Sequence, residues 1–240
     1  MPLAAPDTHI SEIHMPELGR VGIVLQARTG SRRLPGKALL PLAGLPMVVF
    51  LLRRLAGPMR MPARLVFATT TLPDDDRLAE TAAAEGVEVF RGADADVAGR
   101  YVAVARQYRF DTVVRITGDC PFIDAEFLDH CLGVCTAAPP FDLATTKGAF
   151  PQGIDCEIYP AALLERLDAE DALSDEQREH VTLVFYDTQA PWRRHLITPP
   201  GGAIRTGGVY TVDTAEDYAR VQTLAATAGR ALALAEERPS

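Results

Sequence analysis

No apolar run in the 240-residue chain approaches the ~20 residues that a helix needs to cross a bilayer, so no segment reads as a membrane span. Cysteine is scarce. Cys120, Cys131, Cys135 and Cys156 form no Cys-x-x-Cys pair, which argues against a zinc site and points to free thiols in a reducing cytoplasm. Positive charge is in deficit: 24 Lys and Arg against 32 Asp and Glu give a formal net charge of −8. A general nucleic-acid or anionic-membrane binder needs a broad positive field, and this chain has none. Both common phosphate-binding fingerprints are absent as well. Five residues separate Gly30 from Gly36 where the P-loop has four, and Ala38 follows Lys37 where that motif needs Ser or Thr. No Gly-x-Gly-x-x-Gly follows the first apolar run, which removes the usual dinucleotide cradle.

What is present is an ordinary globular composition, 48% hydrophobic and 23% charged. Residues 1–20 lack the apolar core of a signal peptide, so they read as a surface tail, with His9 and His14 facing solvent. The remainder, 21–240, shows no repeat, low-complexity stretch or linker and is expected to form one domain. Its first half alternates strand-length apolar runs with amphipathic stretches. Strands are expected over 21–27, 64–70, 87–90 and 111–117, with helices over 47–55, 74–86, 96–108 and 124–135. The second half is looser. It reads as strands at 141–146, 153–159, 193–199 and 208–213, and helices at 161–167, 175–188 and 215–228. That order predicts an α/β class protein, with helices on both faces of a mixed, mainly parallel sheet.

In an open α/β sheet, ligands bind beyond the carboxyl ends of the strands. After the first strand comes QARTGSRRLPGK, residues 26–37, with Arg28, Arg32, Arg33 and Lys37 set among Gly30, Pro35 and Gly36. The breakers exclude regular structure, and a loop of cations and free N–H groups suits a triphosphate. Thr69 and the run Asp74-Asp75-Asp76 follow the second strand; Arg91 and Asp96 follow the third. The carboxylates of the run are expected to charge and cap a helix N-terminus, with one of them free to touch a ligand. Asp119 follows the fourth strand and Asp213 ends the last. Two strand-end carboxylates facing a polyphosphate suit Mg2+, which binds few protein oxygens and takes the rest from phosphate and water. The other reading makes Asp119 a turn residue and Asp213 the N-cap of the final helix, and on spacing alone both stay open. His180 on a helical stretch and the pair Arg193–Arg194 read first as ordinary packed or solvated residues.

QARTGSRRLPGK resembles the N-terminal signature of the cytidylyltransferases that make CMP-activated sugar acids. It is most similar to the type of the spore coat polysaccharide biosynthesis protein F, related to the 3-deoxy-manno-octulosonate and acylneuraminate cytidylyltransferases. The resemblance continues in order through ATTTLPDDDRLAE, FRGADADVAGRY, VVRITGDCPFID, FPQGIDCEIY, REHVT and YTVDTAEDY, over residues 21–222. It implies the nucleotide-diphospho-sugar transferase fold, a three-layer α/β/α sandwich, with CTP as cosubstrate and Mg2+ as cofactor. It further implies catalysis by Arg28, Arg33, Lys37 and Asp119, with Asp119 and Asp213 on the metal. Ala27, Gly30, Ser31, Thr69, Asp76, Arg91, Asp96 and Arg100 would border the nucleotide. Gln152, Asp155, Glu157 and His180 would face a small sugar-acid acceptor, and a homodimer would form through residues 145–190. Alternatives within the fold are another nucleotide with a sugar 1-phosphate, or a glycosyltransferase using a nucleotide sugar. The chain departs from the pattern at Arg32, Ala98 and Val209; the last stands where a basic residue is usual, leaving Arg205 as a substitute.

Overall fold

The computed structural model describes residues 18–202 and 207–236, with side chains described as far as residue 226. The N-terminal residues 1–17, including both tail histidines, and Arg205 lie outside the described residues.

The predicted strands of the first half form β1 (Val21–Gln26), β4 (Ala63–Thr70), β5 (Glu88–Gly92) and β6 (Thr112–Thr117). A two-residue pair, β2 (Pro41–Leu42) and β3 (Leu45–Pro46), makes a small hairpin apart from the main sheet. The second half contributes β7 (Leu143–Thr145), β8 (Glu157–Pro160) and β9 (Arg194–Leu196). The main sheet runs β5-β4-β1-β6-β8-β7-β9. Its β5-β4-β1-β6 half is parallel, β8 is antiparallel to both of its neighbours, and β7 and β9 are parallel to each other. The connecting helices are α1 (Met47–Leu55), α2 (Asp76–Ala84), α3 (Val97–Tyr108), α4 (Ala125–Ala137), α5 (Ala161–Ala169), α6 (Asp175–His180) and α7 (Ala215–Glu236).

Side chains alternate across the central strands, and this builds the three layers. Ile23 and Leu25 of β1, Phe67 of β4 and Ile116 of β6 pack with apolar residues of α1, α2 and α4. Val24, Val66 and Val113 point the other way, into a second core with α3 and α5. Burying β1 from both sides explains why it reads as a near-continuous apolar run. Gly22 interrupts that run for a reason: a Cβ there would stand 2.1 Å from the Phe110 ring.

Five expectations for the second half are corrected. Residues 208–213 are not a strand; their pairing is one bridge, Val209 to Gln152, after which Val212 N–H donates 2.9 Å to Asp119 O. The stretch 153–159 is strand only from Glu157. Gly153 sits at φ +89, where an added Cβ would lie 2.4 Å from Thr211 N. The two segments therefore cross closely at a glycine rather than pairing along a ladder. The helix expected over 175–188 stops at His180, because Val181 takes φ +40, and a 3-10 turn, Leu183–Tyr186, follows. The final helix is longer than its pattern suggested, reaching Glu236. Arg193 is no solvated bystander: its guanidinium donates to both Asp142 carboxylate oxygens, at 2.7 and 3.2 Å.

Candidate active site

The sheet's carboxyl edge opens on two adjoining cavities of about 370 and 540 Å³ that share Arg115, Thr117 and Asp119 as common wall. The first is bounded by the cationic loop after β1, by Asp213, and by Glu179 and His180 of α6. The second is bounded by Lys147, Phe150, Gln152, Asp155, Glu157 and Thr211.

In the first cavity, beside the shared wall at Asp119, stands Lys37. Its ammonium donates to Val212 O at 2.7 Å and to Asp213 Oδ1 at 3.0 Å, and lies 3.5 Å from Asp119 Oδ2. Arg33 reaches the other oxygen of Asp213 at 3.0 Å. Burial alone would raise the Asp119 carboxyl; the Lys37 charge, with hydrogen bonds from Thr117 and Cys120, outweighs it and holds the group below the ordinary carboxylate value. Gly118 lets the end of β6 approach β1: a Cβ there would lie 2.6 Å from that of Ala27.

Capping does not account for Asp213. The start of α7 is closed by Thr214, whose hydroxyl accepts from Asp217 N–H, while the Asp217 carboxylate accepts from the Asp213 and Thr214 N–H groups. The Asp213 carboxylate is thereby left to face Lys37 and Arg33. Arg28, at the other end of the loop, pairs with Asp94 at 2.8 Å and with Glu179 at 3.7 Å.

Of the expected residues, Ala27, Arg28, Gly30, Ser31, Arg33, Lys37, Asp119, His180 and Asp213 line the first cavity. Gln152, Asp155 and Glu157 line the second. Five others line neither. Arg91 donates to Thr70 O and Leu72 O and pairs with Asp76 at 2.6 Å, bracing the turn after β4. Asp96 caps α3 through Gly99 N–H at 2.9 Å. Arg100 is 2% exposed and donates to the carbonyls of Ala93 and Asp94. Thr69 is fully buried in β4.

Glu157 is not free to read a ligand. At 1% exposure it accepts from Arg115, Lys147 and Thr182, each at 2.7 Å, and from Tyr186 at 2.8 Å. Burial pushes its carboxyl up, but Arg115 and Lys147 win and keep it below its ordinary value. Asp155 is the contrasting case: burial raises its carboxyl, the Lys147 charge opposes, and no ion pair of Asp155 occurs among the described residues. Sequence reasoning missed Arg115 and Lys147. Arg115 had a signal, a lone cation inside the apolar strand TVVRIT.

A mixed sheet whose carboxyl edge carries a cationic loop and two carboxylates converging on its lysine defines an α/β nucleotidyltransferase. The chain belongs to the cytidylyltransferase family, whose model matches residues 22–235. It is 34% identical over 212 residues to the spore coat polysaccharide biosynthesis protein SpsF of Bacillus subtilis, covering 86% of each chain. It is 30% identical over 216 residues to 3-deoxy-manno-octulosonate cytidylyltransferase 2 of Burkholderia lata, 87% of this chain and 74% of that one. A solved cytidylyltransferase from Leptospira borgpetersenii superposes with a TM-score of 0.78 at 33% identity, over 85% of this chain and 86% of that one.

Proposed function

We propose that residues 21–240 form one catalytic domain that transfers CMP from CTP to a sugar acid and releases pyrophosphate, supplying an activated sugar for polysaccharide or glycoconjugate synthesis. The observation that carries this reading is Lys37, held in the first cavity between Asp213 and Asp119, the latter on the wall shared with the second. The triphosphate lies in the first cavity and the acceptor in the second. An acceptor hydroxyl oxygen bonds to the α-phosphorus, and the bond from that phosphorus to the pyrophosphate oxygen breaks. Such transfer depends on alignment and on offsetting charge on the phosphate oxygens. Arg33 and Lys37 offset the charge of the departing pyrophosphate, and Arg28 guards the outer rim. Lys147, fixed by Glu157, offers its remaining protons to the acceptor's carboxylate, and Asp155 accepts from an acceptor hydroxyl.

Asp119 and Asp213 suit Mg2+: two hard carboxylates converge on one cationic point. That is the small protein share this ion takes when phosphates complete its shell. Bound there, it would neutralise phosphate charge and lower the pKa of the attacking hydroxyl. The same reading has the protein as a homodimer in the cytoplasm, where light scattering of the purified chain should give twice the monomer mass.

Pyrophosphate release tests the reaction, with four nucleoside triphosphates set against 3-deoxy-manno-octulosonate, other sugar acids and sugar 1-phosphates. Turnover is expected with CTP and a sugar acid in the presence of Mg2+. Turnover with another nucleotide and a sugar 1-phosphate, and none with CTP, would sink the proposal.

A further inference from the structure

The backbone of the cationic loop closes on Thr29. The carbonyl of Thr29 accepts from Ser31 N–H at 2.8 Å and from Gly36 N–H at 2.9 Å, which closes the loop immediately before Lys37. The N–H and hydroxyl of Thr29 both donate to Asp75 Oδ1, each at 2.7 Å. The other Asp75 oxygen accepts from the hydroxyl of Thr70, at the end of β4.

Asp75 is an unusual carboxylate. It is 1% exposed, and no ion pair of Asp75 occurs among the described residues. Burying a charge without a counter-ion is costly, and only strong hydrogen bonding offsets it. Burial would raise this carboxyl; donation from Thr70 and Thr29 outweighs it and keeps the group ionised. Helix initiation does not explain the residue, since its side chain makes no capping bond to α2. Every bond that justifies the buried charge ends on the cationic loop or on the strand beneath it.

We infer that Asp75 is a positioning residue for nucleotidyl transfer: it fixes Thr29, Thr29 fixes Gly36, and Gly36 delivers Lys37 between Asp119 and Asp213. Asp75 touches no substrate. Gly36, at φ +69, is the pivot of this relay, turning the chain into the 3-10 turn that begins at Lys37. Misplacing a catalytic group by ~1 Å costs on the order of a hundredfold in rate, so the relay governs turnover more than it governs folding. The kinetic direction rests on the CTP reading; the relay itself does not.

The test replaces Asp75 in the full chain. Asp75→Ala is expected to lower kcat/KM for CTP by about a hundredfold, through both parameters, with the KM for 3-deoxy-manno-octulosonate unchanged. Asp75→Asn still accepts from Thr29 and can donate to the Thr70 hydroxyl, so it is expected to restore most of the loss. Amide hydrogen exchange across residues 29–37 should quicken in Asp75→Ala while β1 and β4 stay protected. Should Asp75→Ala fail to fold, Thr29→Val removes only the hydroxyl bond and is expected to shift kinetics and exchange in the same direction, by about tenfold. Wild-type kinetics in a folded variant, or a loss confined to melting temperature, overturns the assignment. If the wild-type protein releases no pyrophosphate from CTP, the functional reading fails instead. Exchange then decides the relay: unchanged protection of residues 29–37 in Asp75→Ala overturns it.

Discussion

Lys37 and Glu157 are both charged residues with several partners, and they call for opposite predictions. Lys37 sits between two carboxylates whose mutual repulsion its own charge offsets, at 14% side-chain exposure. Removing it leaves a partly open cavity that water can enter, so the fold should tolerate Lys37→Ala. Catalysis should not: losing one preorganised charge at a transferring phosphate typically costs 10²–10³ in kcat, or about 3–4 kcal/mol. Asp119→Ala is expected to match it, with both variants giving wild-type circular dichroism. Glu157 is the reverse. Its carboxylate is buried with four donors on it, and Arg115 beside it is itself mostly buried. Glu157→Gln strands the Arg115 charge and should cost about 3–5 kcal/mol of stability, read by denaturant unfolding. The pH dependence has a definite sign. The folded-state pKa lies below the unfolded one, so this stabilisation is fully present above the ordinary glutamate value of 4.5 and fades as pH falls through the depressed value. Wild-type stability should decline through that acid range, and the Glu157→Gln variant should lose that component of the decline.

At the scale of elements, the first half was legible because its central strands are buried on both faces. β1, β4 and β6 are apolar runs of strand length, and Gly86 ends the α2 segment at φ +74. The second half was legible less evenly: β7, β8, β9 and α5 fall where strands and a helix are expected, but 153–156, 181–188 and 208–213 depart, because those segments are held by crossings and turns rather than by periodic patterns. The sequence GVYTVD alternates like a strand, yet it is spent reaching Asp119 and passing Gly153. A stretch such as REHVTLVFY reads as helix, and nothing in it announces the positive φ of Val181. The site divided the same way. The loop cations and the paired Asp119 and Asp213 were visible as charges that follow apolar runs. Asp75 was hidden by its neighbours, since three consecutive aspartates before a helix look like dipole compensation. The β2–β3 hairpin offers a test at this scale. Ala43 and Gly44 both have positive φ, +51 and +83, as a two-residue hairpin of this hand requires. Ala43 is exposed and has no packing to lose, so Ala43→Asn should raise stability by about 0.5–1 kcal/mol, seen as a higher melting temperature with activity unchanged.

For the molecule as a whole, the puzzle is how an acidic protein takes a highly anionic substrate. The formal net charge is −8, so no long-range attraction draws CTP in. The cavity does not reverse this on its own. The cations that line it are Arg28, Arg32, Arg33, Lys37 and Arg115; the carboxylates that line it or pair with those cations are Asp94, Glu179, Asp119, Asp213 and Glu157, and every one of the five cations but Arg32 forms an ion pair with them. The nucleotide site is therefore close to neutral as folded, and a bare triphosphate would add several negative charges to it. Two changes can balance them: the arginines turn from their carboxylates to the phosphates, and a divalent cation arrives with the nucleotide to meet Asp119 and Asp213. The first alone strands Asp94 and Glu179 but leaves both in contact with solvent; it does nothing for Asp119, whose partner is Lys37 and not an arginine. Binding should accordingly require the second. Calorimetry is expected to give CTP an affinity at least tenfold weaker in EDTA than with Mg2+, a difference of about 1.4 kcal/mol or more. Added salt should change the Mg2+ titration little and should strengthen the EDTA one, since screening relieves the repulsion between bare CTP and the acidic surface. Equal affinity in EDTA and Mg2+ would mean that the loop cations alone neutralise the triphosphate, and that the carboxylates facing Lys37 serve only to hold it.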